Sequence, residues 1–297
     1  MLWLIIAFLG PLFHGLSNIF DNYLVNKLFK DPFILVFYSS LINLIFLPFI
    51  FLISVPSLPS LDLIPFYLLL GLINVLYLYP YYKALQNDDT SVVVSLFSLE
   101  KLLVPILAFF IVGEILSFTQ YIGFFVVILS GSVLTLNNHN KKFTINKSFF
   151  YMTLVSFILA FESVLYKYVF NNVDWSTGFT WSLVASFIVT LPILLIRKNR
   201  EKIHSQWHSF KSKSHVFVFE ELLTFGGSAA STFAISLVPV TVVISISSVQ
   251  PFFVLIFAVL FKRFIPQAFK EKTDAKTIIK KTLLFIVMLM GIVLIMR

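Results

Sequence analysis

The chain alternates long apolar runs with short polar breaks. Ten runs of 19 to 24 residues stand out, at 2–25, 32–53, 63–85, 91–113, 118–136, 148–170, 175–196, 216–237, 241–261 and 277–296. A helix of ~20 consecutive apolar residues crosses a bilayer, so each run predicts one membrane-spanning helix and the fold class is an all-α integral membrane protein. Outer-membrane strands would need alternating segments of ~10 residues, and these runs are too long and too uniformly apolar for that. Together the runs take up 219 of the 297 residues. The remainder suffices for loops and ends but not for an extramembrane domain.

Composition sharpens this picture. The chain is 59% hydrophobic and 12% charged, whereas soluble domains are ~25% charged. A net charge of +8 in a soluble protein would suggest nucleic acid. Here the basic residues sit in short loops beside the lipid bilayer, and nucleic acid is not an expected partner. If the ten helices alternate in direction, five loops on one side hold 19 of the 22 Lys and Arg, and the other side holds only Arg297. Cytoplasmic loops collect Lys and Arg, which predicts that both termini lie on the outer side. The first run lacks the basic start and cleavage site of a signal peptide and carries Asn18, Asp21 and Asn22, so it is expected to remain as the first helix. With no cysteine, disulfides, thiolate metal sites and cysteine nucleophiles are excluded.

An internal repeat organises the runs. Residues 84–108 align without gaps on 234–258, with eight of 25 pairs identical, among them Ser95/Ser245, Ser98/Ser248 and Ala108/Ala258. A second match pairs Asn22-Tyr23-Leu24-Val25-Asn26 with Lys167-Tyr168-Val169-Phe170-Asn171. The two halves, 1–140 and 141–297, then hold five helices each. An odd number inverts the second half in the membrane, giving the inverted repeats that surround a midplane site in transporters. No soluble linker separates the halves, only 137–147.

The sequence resembles the drug/metabolite transporter superfamily in its EamA-type branch. The resemblance rests on residues 3–27, Tyr82-Lys83-Ala84-Leu85, the 91–113 run closing on Gly113-Glu114, and Tyr121-Ile122-Gly123 through Gly131. Halves of such proteins usually carry a proline thirteen residues before a Gly-Glu glutamate. Here the first half keeps Glu114 with Lys101 in place of the proline, and the second keeps Pro251 with Phe264 in place of the glutamate. The resemblance implies a secondary carrier in the cytoplasmic membrane. Its substrate would be a small organic metabolite, amino-acid-like, nucleotide-like or drug-like, moved by alternating access in efflux or exchange, with protons or a counter-substrate supplying the coupling. Members of known orientation usually have both termini inside, opposite to the charge count.

The candidate chemistry lies in the few polar residues inside the runs. Glu100 and Lys101 fall at the centre of the fourth run, where each charge costs ~2.5–3.5 kcal/mol to insert, so each should face a cavity or a partner. Adjacent residues point about 100° apart on a helix and pair poorly with each other. Glu162 in the sixth run is therefore a candidate neighbour for both, and Gln250 is the repeat partner of Glu100. In the first run His14, Asn18 and Asp21 or Asn22 recur at helical spacing as an inward polar stripe. Tyr77, Tyr79, Tyr81 and Tyr82 read most simply as an interfacial aromatic belt, with a substrate-facing lining as the alternative. Asn87-Asp88-Asp89-Thr90 reads as a helix cap. Gly226, Gly227, Ser228, Ser231 and Thr232 form a small-residue packing face, and Lys167 can extend to the interface. Pro48, Pro80, Pro105, Pro192 and Pro251 predict kinks.

Neither a Walker loop, nor His-Glu-x-x-His, nor Gly-x-Ser-x-Gly, nor a Cys/His metal spacing occurs. ATP-driven pumping, familiar hydrolysis, cofactors and bound metals are therefore not expected. A flippase or membrane-embedded enzyme acting on a lipid-linked group, and a non-transporting scaffold, are the rival readings.

Overall fold

The computed structural model describes residues 2–29, 31–87, 93, 94, 96–136, 147–261 and 275–296. The expected cap at Asp88, Asp89 and Thr90, Ser91, Val92 and Ser95 of the repeat match, the link 137–146, Phe264 and Arg297 lie outside the described residues.

Among the described residues all regular structure is helical. In chain order the α-helices are α1 Leu2–Tyr23, α2 Pro32–Ile42, α3 Leu47–Phe51, α4 Ile64–Leu76, α5 Leu78–Asn87, α6 Ser98–Val112, α7 Phe118–Leu136, α8 Lys147–Phe170, α9 Trp175–Thr190, α10 Arg197–Leu237, α11 Val240–Ile246, α12 Gln250–Phe261 and α13 Ala275–Ile295. Five continuous helical stretches are long and apolar enough to span a bilayer: Leu2–Asn26, Pro32–Phe51, Leu61–Asn87, Lys147–Phe170 and Trp175–Leu195. Shorter apolar helices follow at Phe118–Ser130, Val240–Val254 and Thr282–Ile295.

Local chemistry sets the ends and breaks. Asp31 caps α2 by accepting the Phe33 N–H, with Pro32 at the first helical position where its missing N–H costs nothing. Asp174 caps α9 by accepting from the Thr177 backbone N–H at 3.0 Å and the Thr177 hydroxyl at 2.8 Å, and from Ser176. Desolvation alone would raise the Asp174 carboxyl, but these bonds outweigh it and hold it below its ordinary value. α6 ends at Gly113 with φ +68, a left-handed position that favours glycine. Pro48, Pro192 and Pro251 each follow or enter a short 3₁₀ turn, and Pro80 follows the break at Tyr77, because a proline removes the hydrogen bond to the fourth residue before it.

One boundary differs from expectation. The segment before 216, expected as a long loop, is helical, and α10 runs unbroken for 41 residues. It holds no Gly or Pro between 197 and 225, Arg197 pairs with Glu201 one turn on at 2.8 Å, and Tyr38 stacks on Phe210 at 3.9 Å. Lys202 meets Asp31 at 2.8 Å, and this hydrogen bond raises the Lys202 ammonium above its ordinary value.

The distribution of polarity is that of a membrane protein. Large apolar side chains such as Ile5, Ile45, Phe49, Phe110, Phe118, Leu129, Phe150 and Met290 are exposed, while Asn18, Asp21, Ser39, Lys101, Glu220, Glu221 and Thr232 are buried. Lipid provides no hydrogen bonds, so polar groups turn inward. The strongest pairings are α1 with α10, α7 with α13, α4 with α9 and α6 with α8, and α5 also packs on α8. α1 and α10 approach closely at Gly10 and Gly227. A Cβ on Gly10 would lie 2.1 Å from the Ser231 hydroxyl, and one on Gly227 would lie 2.9 Å from the His14 ring. The small-residue face of α10 is thus a packing face over part of its length.

Candidate functional site: a charged central cavity

The inward-turned polar residues converge on one cavity of about 230 Å³. α1 contributes His14, Ser17, Asn18 and Asp21, the α4–α5 break contributes Tyr77, Tyr81 and Tyr82, and α6 contributes Glu100 and Lys101. Glu162 and Tyr166 come from α8, and Glu220, Glu221, Ser228 and Ser231 from α10, while Gln250 opens α12. Neither α7 nor α13 reaches it among the described residues.

The cavity therefore gathers Glu100, Lys101, Glu162, Gln250, Asn18, Asp21 and Tyr82 into its wall. Asn22 is not part of the lining. It lies one residue, about 100°, beyond Asp21 on α1, and that rotation carries it off the cavity face. The aromatic-belt reading of the tyrosines is corrected. Tyr81 and Tyr82 are buried and, with Tyr77, line the cavity, while Tyr79 points outward under the Lys83 ammonium. Tyr77 and Tyr81 lie one helical turn apart and so share a face.

Two groups of ionisable side chains form the wall. In the first, Glu100 and Glu162 are electrostatic neighbours, Lys101 lies beside Glu100, and the Ser163 hydroxyl lies 3.5 Å from Glu100 Oε1. Lys101 is buried. Among the described residues the two ion pairs lie outside the cavity, at Arg197–Glu201 and Lys202–Asp31, so of the two roles open to Glu162, cavity lining and an ion pair with Lys101, the structure shows the lining. Successive helical positions on α6 and a position on α8 do not bring the ammonium within contact distance of that carboxylate.

The second group was not foreseen. Glu220 and Glu221 from α10 face Asp21 from α1. Glu220 Oε1 accepts from the Ser17 hydroxyl at 3.0 Å and the Thr224 hydroxyl at 2.7 Å. Asp21 Oδ2 accepts from the Tyr81 hydroxyl at 2.9 Å, which also lies 3.1 Å from Asn18 Oδ1. Asn43 donates to Glu221 Oε2 at 3.2 Å. The signal was the pair of acids in an apolar run, Val-Phe-Val-Phe-Glu-Glu-Leu-Leu, but a span drawn from 216 set them near its polar end. Among the described residues no group of three His, Cys, Asp or Glu has the spacing to hold a metal ion.

Away from the cavity, two long-range contacts fasten helix ends. Glu114, just past Gly113, accepts the backbone N–H groups of Val240 at 2.8 Å and Thr241 at 3.0 Å. The Lys167 ammonium donates to the carbonyls of Ile235 and Val238, both at 3.0 Å. The end of α6, the end of α10 and the start of α11 thus meet at one level.

A family model for the EamA-like transporter family matches residues 1–136 and again 146–297. No curated protein matches the sequence. A solved structure whose title reads only "Crystal structure of protein" is similar over 97% of this chain and 98% of that one, with a TM-score of 0.63 at 14% identity. That similarity concerns the fold alone.

Proposed function

The chain belongs to the EamA-like transporter family, whose members are membrane transporters of small molecules, and from that premise we propose that it is a secondary carrier working by alternating access. In this reading it moves a small organic metabolite across the cytoplasmic membrane in efflux or exchange. Both termini lie outside, and ten spans are arranged as two inverted halves, 1–140 and 141–297. The observation that carries the reading is the cavity, because a buried space with charged walls among apolar helices is costly unless it is used. Its lining comes from residues of both halves.

The contacts support the inverted arrangement. Exchanging the first five spans for the last five maps the α1–α10 pairing onto α5–α8, and the α6–α8 pairing onto α1–α12. It maps the α7–α13 pairing onto itself. Glu114 bonds the end of the fourth span to the start of the ninth, as two packed helices running in opposite directions require.

Within this account Glu100 is the coupling residue, with Lys101 and Glu162 as its electrostatic neighbours and Gln250 as its counterpart. Glu100→Gln keeps the shape, copies the amide at Gln250 and removes the titratable charge. Proteoliposomes loaded with labelled amino acids, nucleosides and amines and held at a series of pH values provide the test. The variant is expected to fold and to transport without the pH dependence of the parent. Failure to assemble, or an unchanged pH profile, refutes the coupling role. Absence of flux with the parent protein for all three classes argues for the scaffold reading.

A further inference from the structure

The account above uses Glu100 and leaves unexplained the second acidic wall, on α1 and α10. The Asp21 and Glu220 carboxyls are neighbours in this wall, and Glu220 Oε2 is buried with no hydrogen-bond partner among the described residues. Glu220 is 1% exposed and Glu221 1%. Two carboxylates in a low-dielectric space repel unless a proton or another positive charge lies between them. Lys101 stands beside Glu100 in the other group, and among the described residues it forms no ion pair with Asp21, Glu220 or Glu221. His14 also lines the cavity from α1. Independently, the Asn18 amide nitrogen is buried in the same wall and has no acceptor among the described residues. A buried acceptor and a buried donor both left unmet ask for a polar occupant that supplies a donor to the first and an acceptor oxygen to the second.

We infer that this wall binds the ammonium group of a small organic cation, held between Asp21 and Glu220 and against the tyrosine rings of α5. Five carboxyl groups and one ammonium line the cavity, so its field favours a positive guest. Tyr77, Tyr81 and Tyr82 line the same cavity, and aromatic rings attract cations. Among the described residues no group of three His, Asp or Glu could hold a metal ion, which favours an organic cation over a bare divalent ion. The inference names the substrate class of the carrier proposed above and rests on that reading for transport, but not for binding.

An isosteric series tests it: tyramine as cation, 4-ethylphenol as neutral and 3-(4-hydroxyphenyl)propanoate as anion, with N-methyltyramine as a second cation. Each is titrated against the purified full chain by thermal stabilisation, and its uptake into proteoliposomes is measured separately. Tyramine and N-methyltyramine are expected to stabilise the protein at millimolar concentration or below, and the neutral and anionic isosteres are not. Glu220→Gln is expected to weaken tyramine at least ~10-fold, since it removes a charge-assisted hydrogen bond to the ammonium. Asp21→Asn does the same should Glu220→Gln fail to fold. Stabilisation by the anion in preference to the cations, binding by neither cation, or undiminished tyramine binding in both variants overturns the inference. Binding of cations without uptake leaves it standing and refutes the carrier reading. Uptake of the anion without cation binding does the reverse.

Discussion

Replacing Glu114 by alanine removes the one side chain that receives the Val240 and Thr241 N–H groups at the start of α11. Each is a charge-assisted bond of ~1.5–3 kcal/mol net. The junction is only half-buried, however, and water takes over the N–H groups once the carboxylate is gone. The loss therefore falls to that of a helix cap, ~0.5–2 kcal/mol, and we take the upper end because two donors are involved. At ~2–4 °C per kcal/mol for a large chain, a loss of ~2 kcal/mol lowers the melting midpoint by about 4–8 °C. Glu114→Gln keeps one acceptor oxygen and is expected to lose roughly half as much. Glu201→Ala is the control. Its pairing with Arg197 is fully on the surface, with 85% and 64% of the two side chains exposed, and such pairs contribute ~0.5 kcal/mol or less. Thermal unfolding in detergent, followed by tryptophan fluorescence, reads all three. If Glu114→Ala melts within about 1 °C of the parent, the cap does not hold the two halves together and the reasoning fails.

Two further predictions concern the cap of α9 and the orientation of the chain. The Asp174 carboxyl is held below its ordinary value of 3.8, so its contribution is whole above that value and is lost as pH falls through the lower folded-state value. Asp174→Ala should cost ~1 kcal/mol at neutral pH, and its deficit should shrink on acidification below pH ~4; a deficit that is constant in melting scans across that range contradicts this. The native chain has no cysteine, so Ser212→Cys, exposed on the polar part of α10, is a clean reporter. An impermeant maleimide should label it only after the membrane is opened, and labelling of intact cells refutes outer termini.

The helices were legible because an apolar run of spanning length needs no partner information to declare itself. Asp21 and Glu100 were legible for the same reason, since a charge inside such a run has few places to go, and both line the cavity. Where the reading stopped short, the missing knowledge was three-dimensional. Glu220 and Glu221 lie 23 and 24 residues into α10, yet the basic stretch 197–215 disguised the start of that helix as a loop. Asn22 shares the helical spacing of Asp21 but not its face. Tyr81 and Tyr82 line the cavity rather than the membrane interface, a placement set by the packing of α5 on α8 that no hydropathy pattern encodes. Glu114 stood out as a family mark, while its partners, 126 and 127 residues away, become visible only once the chain is folded.

The proposal's central claim is that the cavity opens to each side of the membrane in turn, and Ser228 tests it without a flux measurement. Ser228 lines the cavity from α10, and Ser228→Cys is a near-isosteric change in a chain without other thiols. Membrane vesicles of both orientations are treated with an impermeant maleimide. Alternating access predicts labelling in right-side-out and in inside-out vesicles, with a saturating ligand shifting the two rates in opposite directions. Labelling from one side only, at a rate that no ligand alters, contradicts the carrier and describes a static pocket.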